Sequence, residues 1–148
     1  MEYLFYLYFK HWLEKNIIDE VIWNGIIKDY GIPSPAPGGP TGEPDLIIFI
    51  DEIIVIIELT TIKSKGQQWK AEGASVPDHI RLIEEKYPNK KIFAFYLAPI
   101  IYEERVSKSM LSRLNAYNAK LYCMEIQNFI STFKNINNRN ELINYFLN

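Results

Sequence analysis

The sequence predicts an α/β fold, a mixed central β-sheet with helices on both sides. Three observations point to it. Residues 46–57 form an apolar run interrupted only by Asp51 and Glu52, which reads as a hairpin of two strands apolar on both faces. Lys91–Ala98 and Ala119–Glu125 read as two further strands. Around them lie segments with apolar residues at helical spacing, giving the order α-β-β-α-β-α-β-α across one domain of residues 1–148.

Taken in order, residues 2 to about 30 read as helical, in two segments broken near Asn16. Ile18, Val21, Ile22, Ile26 and Ile27 fall on a stripe of helical period, and Gly31 is a stop. The first segment, Tyr3 to Trp12, is aromatic on nearly every side. It is either a buried helix or one packed against a partner or an upstream domain; His11 within it reads as structural. Residues 32–43, with four prolines and three glycines, are expected to form a loop without regular structure. The hairpin follows. A helix is expected from Gln67 to about Lys86, kinked or restarted at Pro77, with Ser75 as a cap for its second half. Tyr87-Pro88-Asn89 ends it before the strand Lys91–Ala98. Glu103 to Tyr117 reads as a helix with Val106, Met110, Leu111 and Leu114 on one face. After the strand Ala119–Glu125, Ile126–Lys134 and Asn140–Leu147 read as closing helices.

Composition narrows the function classes. A chain of 148 residues can bury a sizeable core, and with 48% hydrophobic and 23% charged residues it does not resemble a disordered segment. The net charge is −2, and the isoelectric point is near 5.7. Nucleic-acid contact therefore has to come from local basic patches and not from a global positive field. The single cysteine, Cys123, excludes an internal disulfide framework and a cysteine-based zinc cluster, and it reads as a small hydrophobe in a strand. The longest apolar stretch is broken by two acids, so no membrane span is expected. With no signal peptide evident, a cytoplasmic location is expected.

The hairpin also carries the chemistry. Around a two-residue turn at Asp51-Glu52, opposed residues have numbers summing to 103, so Asp45 faces Glu58 with the two side chains about 5 Å apart on one face. Thr60 shares that face by strand alternation. Two carboxylates held that close repel unless a cation lies between them or one is protonated. A divalent-metal site results, with the Leu59 carbonyl as a further oxygen donor. The plainer alternative is that Asp45 caps its strand and Glu58 ends its own exposed.

Pro44-Asp45, an apolar hairpin and Glu58-Leu59-Thr60 together resemble the PD-(D/E)xK nuclease superfamily, with Thr60 standing where that superfamily usually has lysine. Gly38-Gly39 is similar to the entry loop of FokI-type cleavage domains. Glu72 and His79, two helical turns apart on the next helix, make the pattern most similar to the AlwI-like group of type IIS and nicking endonucleases. The resemblance spans roughly residues 18–125. It implies a restriction-endonuclease-like sheet and Mg²⁺, with Mn²⁺ as a substitute, held by Asp45, Glu58 and Leu59. It also implies an acid from the helix before the hairpin, best matched by Glu20, with Asp19 and Glu14 as competitors. Asp45, Glu58, Thr60, Glu72 and His79 would be the catalytic set, hydrolysing DNA to a 5′-phosphate and a 3′-hydroxyl. The role of the missing lysine would pass to Glu72, His79 or a second metal ion, with Lys63 and Lys65 as loop alternatives. Gln67 and Gln68 are candidate DNA contacts. Lys70, Arg81, Arg105, Lys108 and Arg113 either track phosphates or form wet helix faces.

No recognition element such as a helix-turn-helix or zinc module is visible. The expected function is thus a cleavage module that works with a recognition domain or subunit outside this chain, as a transient homodimer or heterodimer, binding DNA weakly alone. Rivals are another PD-(D/E)xK enzyme, of repair or junction-resolving type, and a degenerate noncatalytic interaction or dimerisation module.

Overall fold

A two-residue turn fixes the register of the strands it joins, and a one-residue slip would turn every side chain to the other face. The structure, a computed structural model, describes residues 1–28, 31–34, 42–63, 75–101, 110 and 117–148. Strand β4 (Leu46–Ile50) pairs antiparallel with β5 (Ile53–Leu59), Leu46 opposite Ile57 and Ile50 opposite Ile53, the register that the 103 sum requires. Asp51 at the turn has φ 49, a left-handed conformation that aspartate tolerates better than most residues.

Three more strands complete the sheet: β1 (Glu20–Trp23), β6 (Lys91–Ala98) and β7 (Lys120–Glu125), in the order β1-β4-β5-β6-β7. The β1 and β4 strands are antiparallel, while β5, β6 and β7 run parallel, so the sheet is mixed. One face carries Leu46, Ile48, Ile50, Val55, Ile57, Phe93 and Phe95. It is covered by α1 (Glu2–Glu14) through Phe5, Phe9 and Trp12, and by residues that lie in α3 (Ile126–Phe133) and α4 (Arg139–Leu147). The other face carries Ile47, Ile54, Ile56, Ala94 and Tyr96 and is covered by α2 (Ser75–Lys86) through Val76, Ile80 and Ile83. Pro77 sits in the first turn of α2, where its missing N–H costs nothing. Met110 is helical and buried against the same face. The other residues of the expected 103–117 helix, apart from Tyr117, lie outside the described residues, as do residues 67–74.

Two expectations are corrected. Residues 18–28 do not form a helix, and 29–30 lie outside the described residues: Glu20–Trp23 is β1, and Ile26–Lys28 is β2, paired antiparallel with β3 (Ile32–Ser34). The β-branched residues Ile18, Val21, Ile22, Ile26 and Ile27 match a helical stripe by spacing, yet β-branched side chains favour strands, and pairing of β1 with β4 and of β2 with β3 decides the outcome. The Ile32–Ser34 strand also falls in the segment expected to be irregular; its partner β2 forms with it a two-stranded sheet, all edge, where proline is tolerated. Arg81 lies on the wet face of α2, 3.7 Å from Asp78 and 3.6 Å from Glu85. The α1 helix is buried on one side only, since Leu4, Leu7 and Tyr8 are exposed, and so is His11.

A polar clamp closes the turn end of the sheet. Asn138 caps α4 by accepting from the Glu141 N–H at 2.9 Å and donating from its side-chain amide to the Glu141 carboxylate at 3.0 Å, with Arg139 in the first turn. Arg139 donates to Asp19 at 2.6 Å and to Asp51 at 3.1 Å, and its Nε donates to the Asn16 carbonyl at 3.3 Å. The Arg139 hydrogen bond, followed by the Asp51 N–H, holds the Asp19 carboxyl below its ordinary value of 3.8. Asp19 and Asp51 are about half exposed, so solvent screening keeps the contribution small. Arg139→Ala is expected to lower the melting temperature by about 2–4 °C at neutral pH. A depressed carboxyl stabilises the fold above its unfolded pKa and ceases to do so as pH falls through its folded value. The gap between wild type and Arg139→Ala in circular-dichroism melts should therefore narrow below pH 3.8. A gap that stays constant down to pH 2 would contradict this account.

Candidate metal-dependent active site

Glu58, the penultimate residue of β5, lies on the face that carries Ile54 and Ile56, which is the face turned toward α2. It pairs in register with Tyr96 on β6, and Tyr96 pairs with Cys123 on β7, so one row of side chains crosses the sheet. On α2, residues 76, 79, 80 and 83 share the side turned to the sheet, all four buried. The stripe that docks α2 thus also drives His79 inward. Its Nδ1 lies 2.7 Å from Glu58 Oε1, and the two residues are each only 4% exposed. An ionised carboxylate can only accept, so with Glu58 charged the Nδ1 atom carries the hydrogen and donates it. A carboxylate this deeply buried needs such a partner.

Asp45 directly precedes β4 and continues the hairpin register to face Glu58. Its Oδ2 accepts the Leu59 N–H at 2.8 Å, which ties the carboxylate to the strand that bears Glu58. The Thr60 N–H donates to the Leu97 carbonyl on β6 at 3.0 Å. In a trans peptide the preceding carbonyl points the opposite way, so the Leu59 oxygen is directed to the Asp45 side. Thr60 is buried, and its Oγ1 accepts the Ile62 N–H at 3.1 Å, a local turn that redirects the chain off the sheet. Lys63, beyond that turn, is exposed.

The expected site residues divide accordingly. Asp45, Glu58, Leu59, Thr60 and His79 converge at the carboxyl end of β5. Glu72 lies outside the described residues, as do Gly38, Gly39, Lys65, Gln67, Gln68, Lys70, Arg105, Lys108 and Arg113. Glu20 is corrected: it is on a strand, not a helix, and pairs with Phe49, toward the Asp51 turn and away from Asp45. Asn24, which sequence reasoning passed over, lies next to Asp45. Its main-chain N–H donates to the Asp45 carbonyl at 3.1 Å, and its amide Nδ2 donates to the Pro44 carbonyl at 2.6 Å. The Asn24-Gly25 dipeptide is the signal that a strand, not a helix, has just ended.

Among the described residues, no group of three or more histidine, cysteine, aspartate or glutamate side chains is placed to hold a metal ion. The described donor set is two carboxylates and a carbonyl, all hard oxygens. That set suits a Mg²⁺-type ion, which binds through one or two carboxylates and fills its remaining positions with water and phosphate oxygens. It does not suit a zinc site of nitrogen and sulfur donors.

The family model for the AlwI restriction endonuclease matches residues 2–136. The chain belongs to the AlwI restriction endonuclease family. The match covers the sheet and both helical layers up to the end of α3. No curated protein matches the chain by sequence. Among solved structures, the small subunit (R.BspD6I2) of the heterodimeric restriction endonuclease R.BspD6I is similar, with a TM-score of 0.65 and 17% identity over 90% of this chain and 74% of that one. At that identity the likeness establishes the fold, a restriction-endonuclease-like mixed sheet between helices. Among the described residues, no helix is long and apolar enough to cross a membrane.

Proposed function

We propose that this member of the AlwI family is a Mg²⁺-dependent DNA endonuclease, the cleavage module of a type IIS or nicking enzyme that takes its sequence recognition from another domain or subunit. The observation that carries this reading is the approach of Asp45 to Glu58 across one hairpin, with Glu58 held by buried His79. Asp45, Glu58 and the Leu59 carbonyl would hold Mg²⁺, or Mn²⁺ in its place. When bound there, such an ion lowers the pKa of an attacking water and stabilises charge at phosphorus. The chain's own residues do the rest. The Leu59 N–H orients Asp45, His79 orients Glu58, and the Thr60 hydroxyl accepts the Ile62 N–H just beyond the strand. Thr60 offers no positive charge, so charge compensation at phosphorus would fall to the bound metal or a second metal ion, while Glu72 or His79 would take over the lysine's part in orienting the water. A cytoplasmic location is part of the proposal.

The similarity to a protein described as the small subunit of a heterodimer supports a partner subunit for this chain, as a heterodimer in preference to a homodimer. Alone, the chain is expected to nick supercoiled plasmid slowly in Mn²⁺ or Mg²⁺ and not at all in chelator, with little sequence choice. Full absence of nicking at high protein concentration, together with no calorimetric Mn²⁺ binding that depends on Glu58, would instead identify a noncatalytic interaction module.

A further inference from the structure

Asp45 is held by more than its own hairpin. The register of β1 against β4, Glu20 opposite Phe49 and Trp23 opposite Leu46, brings Asn24 opposite Asp45 as its next pair. The Asn24 N–H to the Asp45 carbonyl, at 3.1 Å, extends that ladder by one bond. The side chain adds something a ladder does not supply: Nδ2 donates to the Pro44 carbonyl at 2.6 Å. Both peptide units flanking the Asp45 Cα are thereby tied to one residue, while its carboxylate is tied to Leu59 on the other side at 2.8 Å.

Asn24 is itself fixed. A Cβ added at Gly25 would fall 2.1 Å from the Trp23 ring, so the turn is folded against the indole and only glycine fits. That indole stacks on Tyr6, with centroids 5.7 Å apart and planes at 26°, lies 5.1 Å from the Tyr3 ring, and donates to the Glu2 carboxylate at 3.4 Å. The first turns of α1 thus brace Trp23, and Trp23 braces the turn that carries Asn24.

We propose that Asn24 is a positioning residue for the metal-binding carboxylate of Asp45, acting through the Pro44-Asp45 backbone. The role rests on the endonuclease reading above and adds to it the residue that sets where Asp45 stands. The chemistry requires an amide. Alanine removes the donor, and aspartate keeps the shape but turns an acceptor toward the Pro44 carbonyl and adds a negative charge beside the site.

Amide hydrogen exchange of the whole chain, followed by NMR, reads the position of Asp45 without any metal. In Asn24→Ala and Asn24→Asp the Leu59 N–H, which Asp45 accepts, should exchange on the order of tenfold faster. The Thr60 N–H, held by Leu97, should keep its wild-type rate. Calorimetric Mn²⁺ titration of Asn24→Ala should show affinity lowered about 10-fold, within the 10–100-fold range of residues that orient metal ligands. Leu59 and Thr60 rates that change together, or not at all, overturn the proposal, and so does a loosened Leu59 with wild-type Mn²⁺ affinity. A wild type that takes up no Mn²⁺ would defeat the endonuclease reading instead, and the Leu59 rate would still decide whether Asn24 holds Asp45.

Discussion

Asp45→Ala is expected to lower Mg²⁺-dependent nicking on the order of 10³-fold while moving the melting temperature only a few degrees. A metal ion contributes several kcal/mol of charge stabilisation, and each 1.36 kcal/mol is about a factor of ten in rate. Removing one of two anionic donors forfeits most of that. The structural loss is smaller. Asp45 is half-buried, and its hydrogen bond from the Leu59 N–H is worth roughly 1 kcal/mol. Glu58→Gln tests the same site differently: it keeps an acceptor for His79 and removes the charge, so nicking should fall as far with the fold retained. Plasmid nicking rates beside melting curves for wild type and both variants decide the matter. Nicking within tenfold of wild type in Asp45→Ala would exclude this carboxylate as a metal ligand.

What could be read in advance follows from which interactions are local. The 45/58 pairing needs only a two-residue turn and the rule that strand side chains alternate, so a short stretch of sequence contains all of it. His79 is legible for a similar reason, because it shares the apolar side of one helix with Val76, Ile80 and Ile83. Residues 18–28 fail the same test. Their spacing satisfies a helical period, and what makes Glu20–Trp23 a strand is β4, more than twenty residues away. Sequence offers only indirect marks of this: the β-branched composition, Asn16 with φ 59 closing α1, and the Asn-Gly pair after Trp23. Misreading that segment has a direct cost at the site. It carries Glu20 into the candidate metal set although its register opposite Phe49 places it toward the Asp51 turn, and it hides Asn24, whose hydrogen bonds to the Pro44 and Asp45 carbonyls exist only once β1 lies beside β4. What would replace the usual lysine is not legible in the same way: among the described residues near Thr60, Lys63 is exposed and Thr60 itself carries no charge.

His79→Ala should damage both stability and metal binding, and the companion variant His79→Gln separates two roles for the imidazole. Removing one partner of a buried, hydrogen-bonded pair leaves the other uncompensated, a loss on the order of 3 kcal/mol. In a chain of this length that corresponds to roughly 6–12 °C in melting temperature. Mn²⁺ affinity should fall about 10–100-fold, because Glu58 would no longer be oriented. Glutamine can donate a hydrogen bond to Glu58 from nearly the same place but cannot carry or transfer a proton as imidazole does. If His79 only orients Glu58, His79→Gln should regain most of the Mn²⁺ affinity and most of the nicking rate together. If the imidazole also handles a proton in the reaction, affinity should return while nicking stays on the order of 10²-fold down. The buried 2.7 Å contact is compatible with both roles, so it is the split between affinity and rate, not the size of either loss, that assigns the residue. An unchanged Mn²⁺ affinity in His79→Ala would separate the Glu58–His79 pair from metal binding altogether and leave it a contact of the core.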